Sequence, residues 1–137
     1  MRLWNVKLVK FLPQKQLVGQ WRELNLIKKG WQDGNLNHGL VNYVKEHEKG
    51  YFLRYTKHVL EEMSRRNIKY NEKLYKEIEE FCENEEISKD YPEHNDVYLR
   101  QCLYNLEEKA MRGLITQEEW IKIYERFRMF TDLWKGV

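Results

Sequence analysis

Apolar side chains recur at the spacing of an α-helix along most of this chain, which limits the fold more than any other feature of the sequence. In the stretch QKQLVGQWRELN, Leu17, Trp21 and Leu24 fall on one face at about 100° per residue. Four later stretches repeat the pattern: Tyr51, Phe52, Tyr55, Val59, Leu60 and Met63; Leu74, Tyr75, Ile78 and Phe81; Val97, Leu99, Leu103, Leu106, Ala110 and Met111; and Trp120, Ile123, Tyr124, Phe127, Phe130, Leu133 and Trp134. Strand-like alternation never extends over more than a few residues, so the sequence predicts an all-α protein.

Several helix ends are marked by residues with a local structural preference. A proline at the first turn predicts a helix over residues 13–29, and an asparagine cap predicts a short helix over residues 37–44. Gly113 is suited to the position just after a helix C-terminus. Thr116 and Glu119 have the spacing of a capping box and predict the start of the last helix.

The first twelve residues, MRLWNVKLVKFL, are too apolar to extend into water. They predict an extended N-terminal segment that packs on the helices, which would fix the position of the first nitrogen of the chain. At 137 residues the chain is long enough to bury one core, and its composition marks no linker or repeat. We therefore expect a single compact all-α domain over residues 1–137.

The composition argues against several classes of protein. With 42% hydrophobic and 34% charged residues the chain is typical of a soluble globular protein, and no run approaches the roughly 18 apolar residues of a membrane span. No secretory leader is evident, so a cytoplasmic protein is expected. Cys82 and Cys102 form no CxxC pair and the histidines show no HxxxH spacing, which argues against a metal site. P-loop, GxGxxG and GxSxG motifs are absent, so no cofactor is expected.

Charge is distributed unevenly along the chain. Residues 1–31 carry seven basic side chains and one acidic one, whereas residues 71–86 carry two lysines and seven glutamates. Such asymmetry indicates that the basic part faces a polyanion while the acidic helix faces water.

Glu23 is the one acid of the basic stretch, and it shares a helix face with Gln16, Gly19 and Gln20, opposite the apolar stripe. We interpret that face as exposed and functional, because a glycine inside a helix costs about 1 kcal/mol relative to alanine and indicates a need for space. A second reagent is the amine at the start of the chain. A free α-amino group titrates near pH 7.7–8.0, against about 10.4 for lysine, so far more of it is an unprotonated nucleophile at neutral pH.

Four segments together resemble the pyrimidine-dimer DNA glycosylase family. The first comprises the N-terminal amine, Arg2 and the W-R-E-L run of residues 21–24. The others are VLEEMSRRNIKY at residues 59–70, YPEHNDVYLRQCLYNLEEK at residues 91–109, and EWIKIY at residues 119–124. Their order matches that family over nearly all of the chain.

The resemblance implies a small all-α enzyme that acts on lesion-bearing double-stranded DNA without a metal or cofactor, and we expect the protein to be a monomer. In such a family the N-terminal amine attacks C1′ of the sugar that carries the 5′ pyrimidine of an ultraviolet-induced dimer, which displaces the base and leaves an imine. β-Elimination of the 3′ phosphate then nicks the strand. A glycosylase activity is thereby combined with an AP-lyase, or endonuclease, activity.

Position by position, the resemblance assigns the nucleophile to the α-amine of Met1 and the acid that stabilises the sugar cation to Glu23. The positions implied to contact DNA are Arg2, Arg22, Lys109, Trp120 and Lys122. A third family arginine is replaced by Leu26, where Lys28 or Lys29 could supply a point charge without bidentate bonding.

Two alternatives remain open from the sequence. His38 could correspond to a histidine of the family, or it could be a capping or buried histidine with a structural role. The chain as a whole could also be a non-enzymatic DNA-binding protein that has this fold and lacks the lesion chemistry. An enzyme that forms an imine would be trapped covalently on DNA by borohydride, whereas a protein that only binds DNA would not.

Overall fold

The computed structural model describes residues 1–135, with side chains described through Thr131. The chain forms five α-helices in this part: α1 Gln14–Gln32, α2 Lys49–Arg65, α3 Glu72–Phe81, α4 Asp96–Met111 and α5 Gln117–Lys135. Two 3-10 helices, Val6–Phe11 and Asn42–Glu46, complete the secondary structure of the described residues. The prediction of an all-α fold is confirmed. None of the helices in this part of the chain combines the length and the apolar character that a membrane span requires.

Helix α1 buries the stripe that the sequence predicted. Leu17 and Leu24 are fully buried, and Trp21 is 7% exposed. The helix extends beyond the predicted end at residue 29, because the Asp33 N–H bonds the carbonyls of the last turn and Gly34 then reverses the chain at a φ of +75°. A glycine is needed there since other residues rarely adopt that φ.

The short helix predicted over residues 37–44 does not form. Its place is taken by a turn in which the His38 carbonyl accepts bonds from the Val41 and Asn42 N–H groups, followed by the 3-10 helix Asn42–Glu46. Val41 and Val44 are fully buried, so tertiary packing sets the position of this element instead of an asparagine cap at its start.

The predicted signals at Gly113 and at Thr116 with Glu119 are confirmed, and the structure adds a cap at Asn95 that was not predicted. Asn95 caps α4 by accepting a bond from the Tyr98 N–H. Gly113 follows α4 at a φ of +74°, which frees the chain to turn toward α5. Thr116 and Glu119 exchange side-chain-to-backbone hydrogen bonds at 2.9 and 3.0 Å, as a capping box requires.

The N-terminal segment packs on the helices, and its second half is the 3-10 helix Val6–Phe11 instead of extended chain. Arg66 holds the end of this helix to α2, because one of its guanidinium nitrogens donates to the Leu12 carbonyl at 2.8 Å and another to the Glu62 carboxylate at 2.7 Å. Phe11 meets Phe127 of α5 edge to face, with ring centroids 5.3 Å apart. Phe127 lies at a kink in α5. The side chains of Leu133 and Trp134, also predicted for the α5 stripe, lie outside the described residues.

The loop between α3 and α4 packs against the start of α2. A Cβ atom on Gly50 would lie 2.5 Å from the Glu85 carbonyl oxygen and from a side-chain carbon of Ile87, so only glycine allows this approach. The same contact includes a hydrogen bond from the Ile87 N–H to the Gly50 carbonyl at 3.2 Å. The loop then continues to His94 and α4, which contact the N-terminal segment.

Candidate active site

Residues 2–4 are fixed to α1 and α2 by hydrogen bonds to their backbone. The Gln20 amide donates to the Arg2 carbonyl at 2.9 Å, and its oxygen accepts from the Trp4 N–H at 2.7 Å. The Tyr55 hydroxyl donates to the Trp4 carbonyl at 2.6 Å. Burial raises the pKa of Tyr55 well above its ordinary value, so this phenol stays protonated and remains a donor.

Side chains around the start of α4 hold the other side of the segment. The Tyr98 hydroxyl donates to the Leu3 carbonyl. The Asn5 side-chain amide donates to the Asn95 carbonyl at 3.0 Å. Buried polar atoms of the segment are thereby paired, which is what permits this chain end to lie inside the molecule.

His94 completes this set by accepting a hydrogen bond from the Val6 N–H at its Nδ1, at 2.9 Å. Since Nδ1 is an acceptor, the proton of the neutral ring is on Nε2, which lies 2.7 Å from the Tyr43 hydroxyl oxygen. Burial lowers the pKa of His94 from 6.5 to about 4, against the opposing effect of the carboxylates of Asp90 and Glu93. His94 is therefore neutral at physiological pH.

The carboxylate of Glu23 is linked to the same segment through Gln20. The Gln20 Nε2 that binds the Arg2 carbonyl also donates to Glu23 Oε2 at 3.3 Å. Glu23 is half-buried, and Met1 is 37% exposed. Within the described residues, the Met1 nitrogen forms no ion pair with Glu23 inside 4.0 Å, and the link between Glu23 and the N-terminal segment runs through Gln20 to the Arg2 carbonyl.

The sequence interpretation of Gln20 as part of an exposed face is wrong. Gln20 is 1% exposed, because the N-terminal segment covers this part of α1 and supplies hydrogen-bond partners for the amide. A helix pattern alone assigns polar residues to the solvent side and does not detect a segment that packs over them. The interpretation of Gly19 as a position that leaves space agrees better with the structure, since no group of the described residues outside its own stretch of helix lies within 4 Å of a Cβ placed there.

Arg2 is held against α4. It lies close enough to the Cys102 thiol to oppose the rise in that thiol's pKa that burial causes, and its guanidinium carbon lies 5.3 Å from the centre of the Trp4 ring. The side chain is half-buried, so it borders the site from inside the fold.

The exposed face of α1 carries two of the predicted DNA contacts. Arg22 and Lys29 are both exposed. Lys28 is different, because its side chain is only 12% exposed and its ammonium lies 3.9 Å from a carboxylate oxygen of Glu77 and 3.3 Å from the Gln32 side-chain oxygen. Lys28 therefore helps to join α1 to α3.

The remaining predicted positions lie elsewhere on the surface. Lys109 is half-buried in the last turn of α4, and Trp120 is half-buried with its ring 6.3 Å from that of Tyr124. His38 is half-buried and its Nδ1 is buried without a hydrogen-bond partner among the described residues, while its backbone N–H donates to the Asn42 side chain at 2.7 Å.

Lys122 lies near the opposite end of α1 from the acidic helix. It is exposed and borders a cavity of about 380 Å³ together with Pro13 and Arg66. Glu23 is nine residues after Gln14, the first residue of α1, which corresponds to about 14 Å along the helix axis. A duplex that contacted both Lys122 and Glu23 would thus have to extend along α1.

The residues that sequence reasoning missed are the supports of the segment: Gln20, Tyr55, His94 and Tyr98. Tyrosines within apolar stripes were a usable signal, because a buried phenol needs a partner for its hydroxyl. No pattern within the sequence indicates which carbonyl accepts that bond. For His94 the partner is a backbone N–H 88 positions earlier in the chain.

Comparison with models of protein families found a match. A family model described as pyrimidine dimer DNA glycosylase matches residues 1–76, which is more than half of the chain. No curated protein and no solved structure matches significantly. The matched range contains Met1, Arg2, Arg22 and Glu23, and it confirms the resemblance found in the sequence. The chain belongs to the pyrimidine dimer DNA glycosylase family.

Proposed function

We propose that this protein is a DNA glycosylase with an associated AP-lyase activity on pyrimidine dimers in double-stranded DNA. The α-amine of Met1 attacks C1′ of the sugar carrying the 5′ pyrimidine, and the bond from C1′ to the base breaks. The resulting adduct opens to an imine. Loss of the proton at C2′ then expels the 3′ phosphate, and hydrolysis of the imine releases the amine.

The observation that carries this proposal is the fixed N-terminal segment beside Glu23. An amine on a mobile chain end loses the advantage of orientation, which can contribute about 7 to 11 kcal/mol to a reaction of two positioned groups. Here the backbone is held from Arg2 to Val6, and the amide that holds Arg2 also binds Glu23. Family membership supports the choice of substrate.

Glu23 has two roles in this proposal. Its carboxylate stabilises positive charge on the sugar as the base departs, and it moves protons during opening of the sugar and elimination. Its half-buried position next to the Gln20 amide keeps one oxygen hydrogen-bonded and leaves the other for the substrate.

DNA is bound through the basic part of the chain in this proposal. Arg22 and Lys29 on the exposed face of α1 contact phosphates, and Arg2 borders the reacting sugar. Lys109, Trp120 and Lys122 extend the contact along the duplex. Lys28 contributes less, because it is paired with Glu77. Access to C1′ requires the duplex to be bent and a base to leave the stack, which cationic surfaces stabilise.

Borohydride trapping tests the proposal. The protein is incubated with a duplex that carries one thymine dimer, a second that carries an abasic site, and a matched undamaged duplex. We expect covalent complexes with the first two only, and peptide mapping of the adduct should locate the DNA on the Met1 nitrogen. Binding to all three duplexes without a trapped complex would instead support the non-enzymatic DNA-binding alternative. Attachment at a lysine would refute the assigned nucleophile.

A further inference from the structure

The Gln20 side chain uses all of its hydrogen-bonding capacity inside the protein. Its oxygen accepts from the Trp4 N–H at 2.7 Å and lies 2.8 Å from the Tyr55 hydroxyl oxygen, whose single proton is shared between Gln20 and the Trp4 carbonyl. Its nitrogen donates to the Arg2 carbonyl at 2.9 Å and to Glu23 Oε2 at 3.3 Å. A glutamine amide has two donors and two lone pairs, so no further partner can be accommodated.

The orientation of this amide follows from its partners. A backbone N–H can only donate and a backbone carbonyl can only accept. The oxygen must therefore face Trp4 and the nitrogen must face Arg2, which leaves the second N–H directed at Glu23. An amide flipped by 180° would lose the bonds to both backbone groups.

We propose that Gln20 is a positioning residue that sets the amine and the Glu23 carboxylate at a fixed separation for reaction. This inference rests on the proposed function. One nitrogen of Gln20 binds both the carbonyl of the residue after Met1 and an oxygen of Glu23. The two reagents of the reaction thus take their positions from a single rigid group that itself does not touch the substrate.

Chemically similar residues cannot replace this arrangement. A glutamate at position 20 keeps an acceptor for the Trp4 N–H but, when ionised, has no N–H for the Arg2 carbonyl and repels Glu23. A methionine has nearly the same length and offers no strong hydrogen bond. Since the α-amine lies one residue before Arg2, a lost anchor lets it move by up to about 3 Å, and an error of about 1 Å can cost 100-fold in rate.

The test compares Gln20→Met, Gln20→Glu and Tyr55→Phe with the wild type and with Gln101→Met, which makes the same chemical change at an exposed position of α4. Three quantities are measured for each protein. The first is the hydrogen-exchange rate of the Trp4 amide, which needs no DNA. The second is the single-turnover rate of borohydride trapping on saturating abasic duplex. The third is the dissociation constant for a duplex with a reduced abasic site.

We expect Gln20→Met to raise the Trp4 exchange rate about tenfold and to lower the trapping rate about 100-fold, with DNA affinity within about twofold of wild type. Gln20→Glu should keep Trp4 exchange close to wild type and still trap slowly, because only the acceptor is retained. Tyr55→Phe leaves the glutamine in place and should give smaller changes of the same kind. It keeps the test usable if the Gln20 variants do not fold. Gln101→Met should match the wild type.

Several outcomes would overturn the inference. Unchanged Trp4 exchange in Gln20→Met would show that the amide does not hold the segment. Raised exchange with normal trapping would show that the anchor has no effect on the reaction. An equal loss of trapping rate and DNA affinity would reduce Gln20 to a structural residue. If the wild type itself forms no trapped complex, the proposed function fails and the positioning role fails with it, whereas the exchange data still report whether Gln20 anchors the segment.

Discussion

Residues 1–76 and the residues after them contribute differently to the candidate site around the N-terminal segment. Residues 1–76, the range matched by the family model, contain the proposed reagents and the α1 face that carries Arg22 and Lys29. Residues beyond 76 supply supports for the N-terminal segment, because the hydroxyl of Tyr98 and the ring of His94 bind its backbone atoms, and they carry only the outlying proposed DNA contacts Lys109, Trp120 and Lys122. The comparison shows that a site can depend on a part of the chain that carries none of its principal chemistry.

The hydrogen bonds from Tyr98 and His94 to backbone atoms require little sequence similarity in the segment that they hold. Tyr98 and His94 bind a carbonyl and an N–H, groups that nearly every residue has, so the segment they hold can vary in side chain. The proposed reagents within residues 1–76, the α-amine of Met1 and Glu23, cannot vary in this way. Substitutions of the proposed reagents and of the supports should therefore differ in effect, and the largest loss is expected at a reagent.

Glu23→Gln should remove chemistry while leaving the rest of the protein intact. We expect the rate of base release from a dimer-bearing duplex to fall by about 100- to 10,000-fold, because an amide cannot move protons or stabilise a cation as a carboxylate does. The dissociation constant for that duplex and the melting temperature should change little. If Glu23→Gln lowered DNA affinity as much as the rate of base release, Glu23 would be a supporting residue. The proposed separation between reagents in residues 1–76 and supports beyond them would then be wrong.

Lowering the pH should weaken the support that His94 gives to the N-terminal segment. His94 is neutral when folded, with its pKa lowered to about 4 by burial against 6.5 in an ordinary histidine. Its contribution to stability is complete above about pH 6.5 and is lost progressively as the pH falls toward 4, since the unfolded chain takes up the proton first. The difference corresponds to about 3 kcal/mol of unfolding free energy.

Urea unfolding at a series of pH values between 7 and 4 measures this loss. The matched variant His94→Gln keeps a polar side chain but cannot titrate, so its unfolding free energy should depend less on pH over that interval. An identical pH dependence in both proteins would contradict the assignment of the acid sensitivity to His94.

The α1 face should affect DNA binding alone. Arg22→Ala should weaken binding and reduce the slope of log affinity against log salt by about 0.9, the contribution of one phosphate contact. Leu26→Arg, which adds a cation one turn later at a side chain that is 56% exposed, should increase the slope by about the same amount. Lys76→Ala on the exposed side of the acidic helix α3 is the control and should leave the slope as it is.

Tyr98→Phe should have the smallest effect. The variant removes one donor to the Leu3 carbonyl, and loss of a hydrogen bond of this kind costs about 1 kcal/mol of unfolding free energy. Denaturant unfolding gives that value directly. A change near zero would indicate that water replaces the phenol, and it would weaken the supporting role assigned to α4.

The helices were predictable because their signals are local. Apolar spacing located all five helices of the described residues, and the glycine at position 113 and the capping box at Thr116 marked the end of α4 and the start of α5. The prediction failed where tertiary packing outweighs local preference. Val41 and Val44 draw the chain into a 3-10 helix after the place where an asparagine cap had indicated a helix start.

Of the candidate site, only the two proposed reagents, the N-terminal amine and Glu23, could be predicted from the sequence. Glu23 stood out because it is the one acid in a basic stretch, and its position on α1 follows from helix geometry. Gln20 could not be assigned correctly, since its burial depends on a segment that crosses α1 from outside the helix. The anchoring role of His94 depends on a contact between residues 88 positions apart, which no local pattern encodes.

The way in which the first residues are held has a practical consequence for recombinant work. The segment is fixed from Arg2 onward, whereas Met1 reaches solvent. An affinity tag fused before Met1 would therefore leave folding undisturbed, yet under the proposed mechanism it would turn the nucleophile into an amide. Such a preparation would pass every check of purity and melting and still be inert, so activity assays call for a C-terminal tag or for a protease that restores methionine as the first residue.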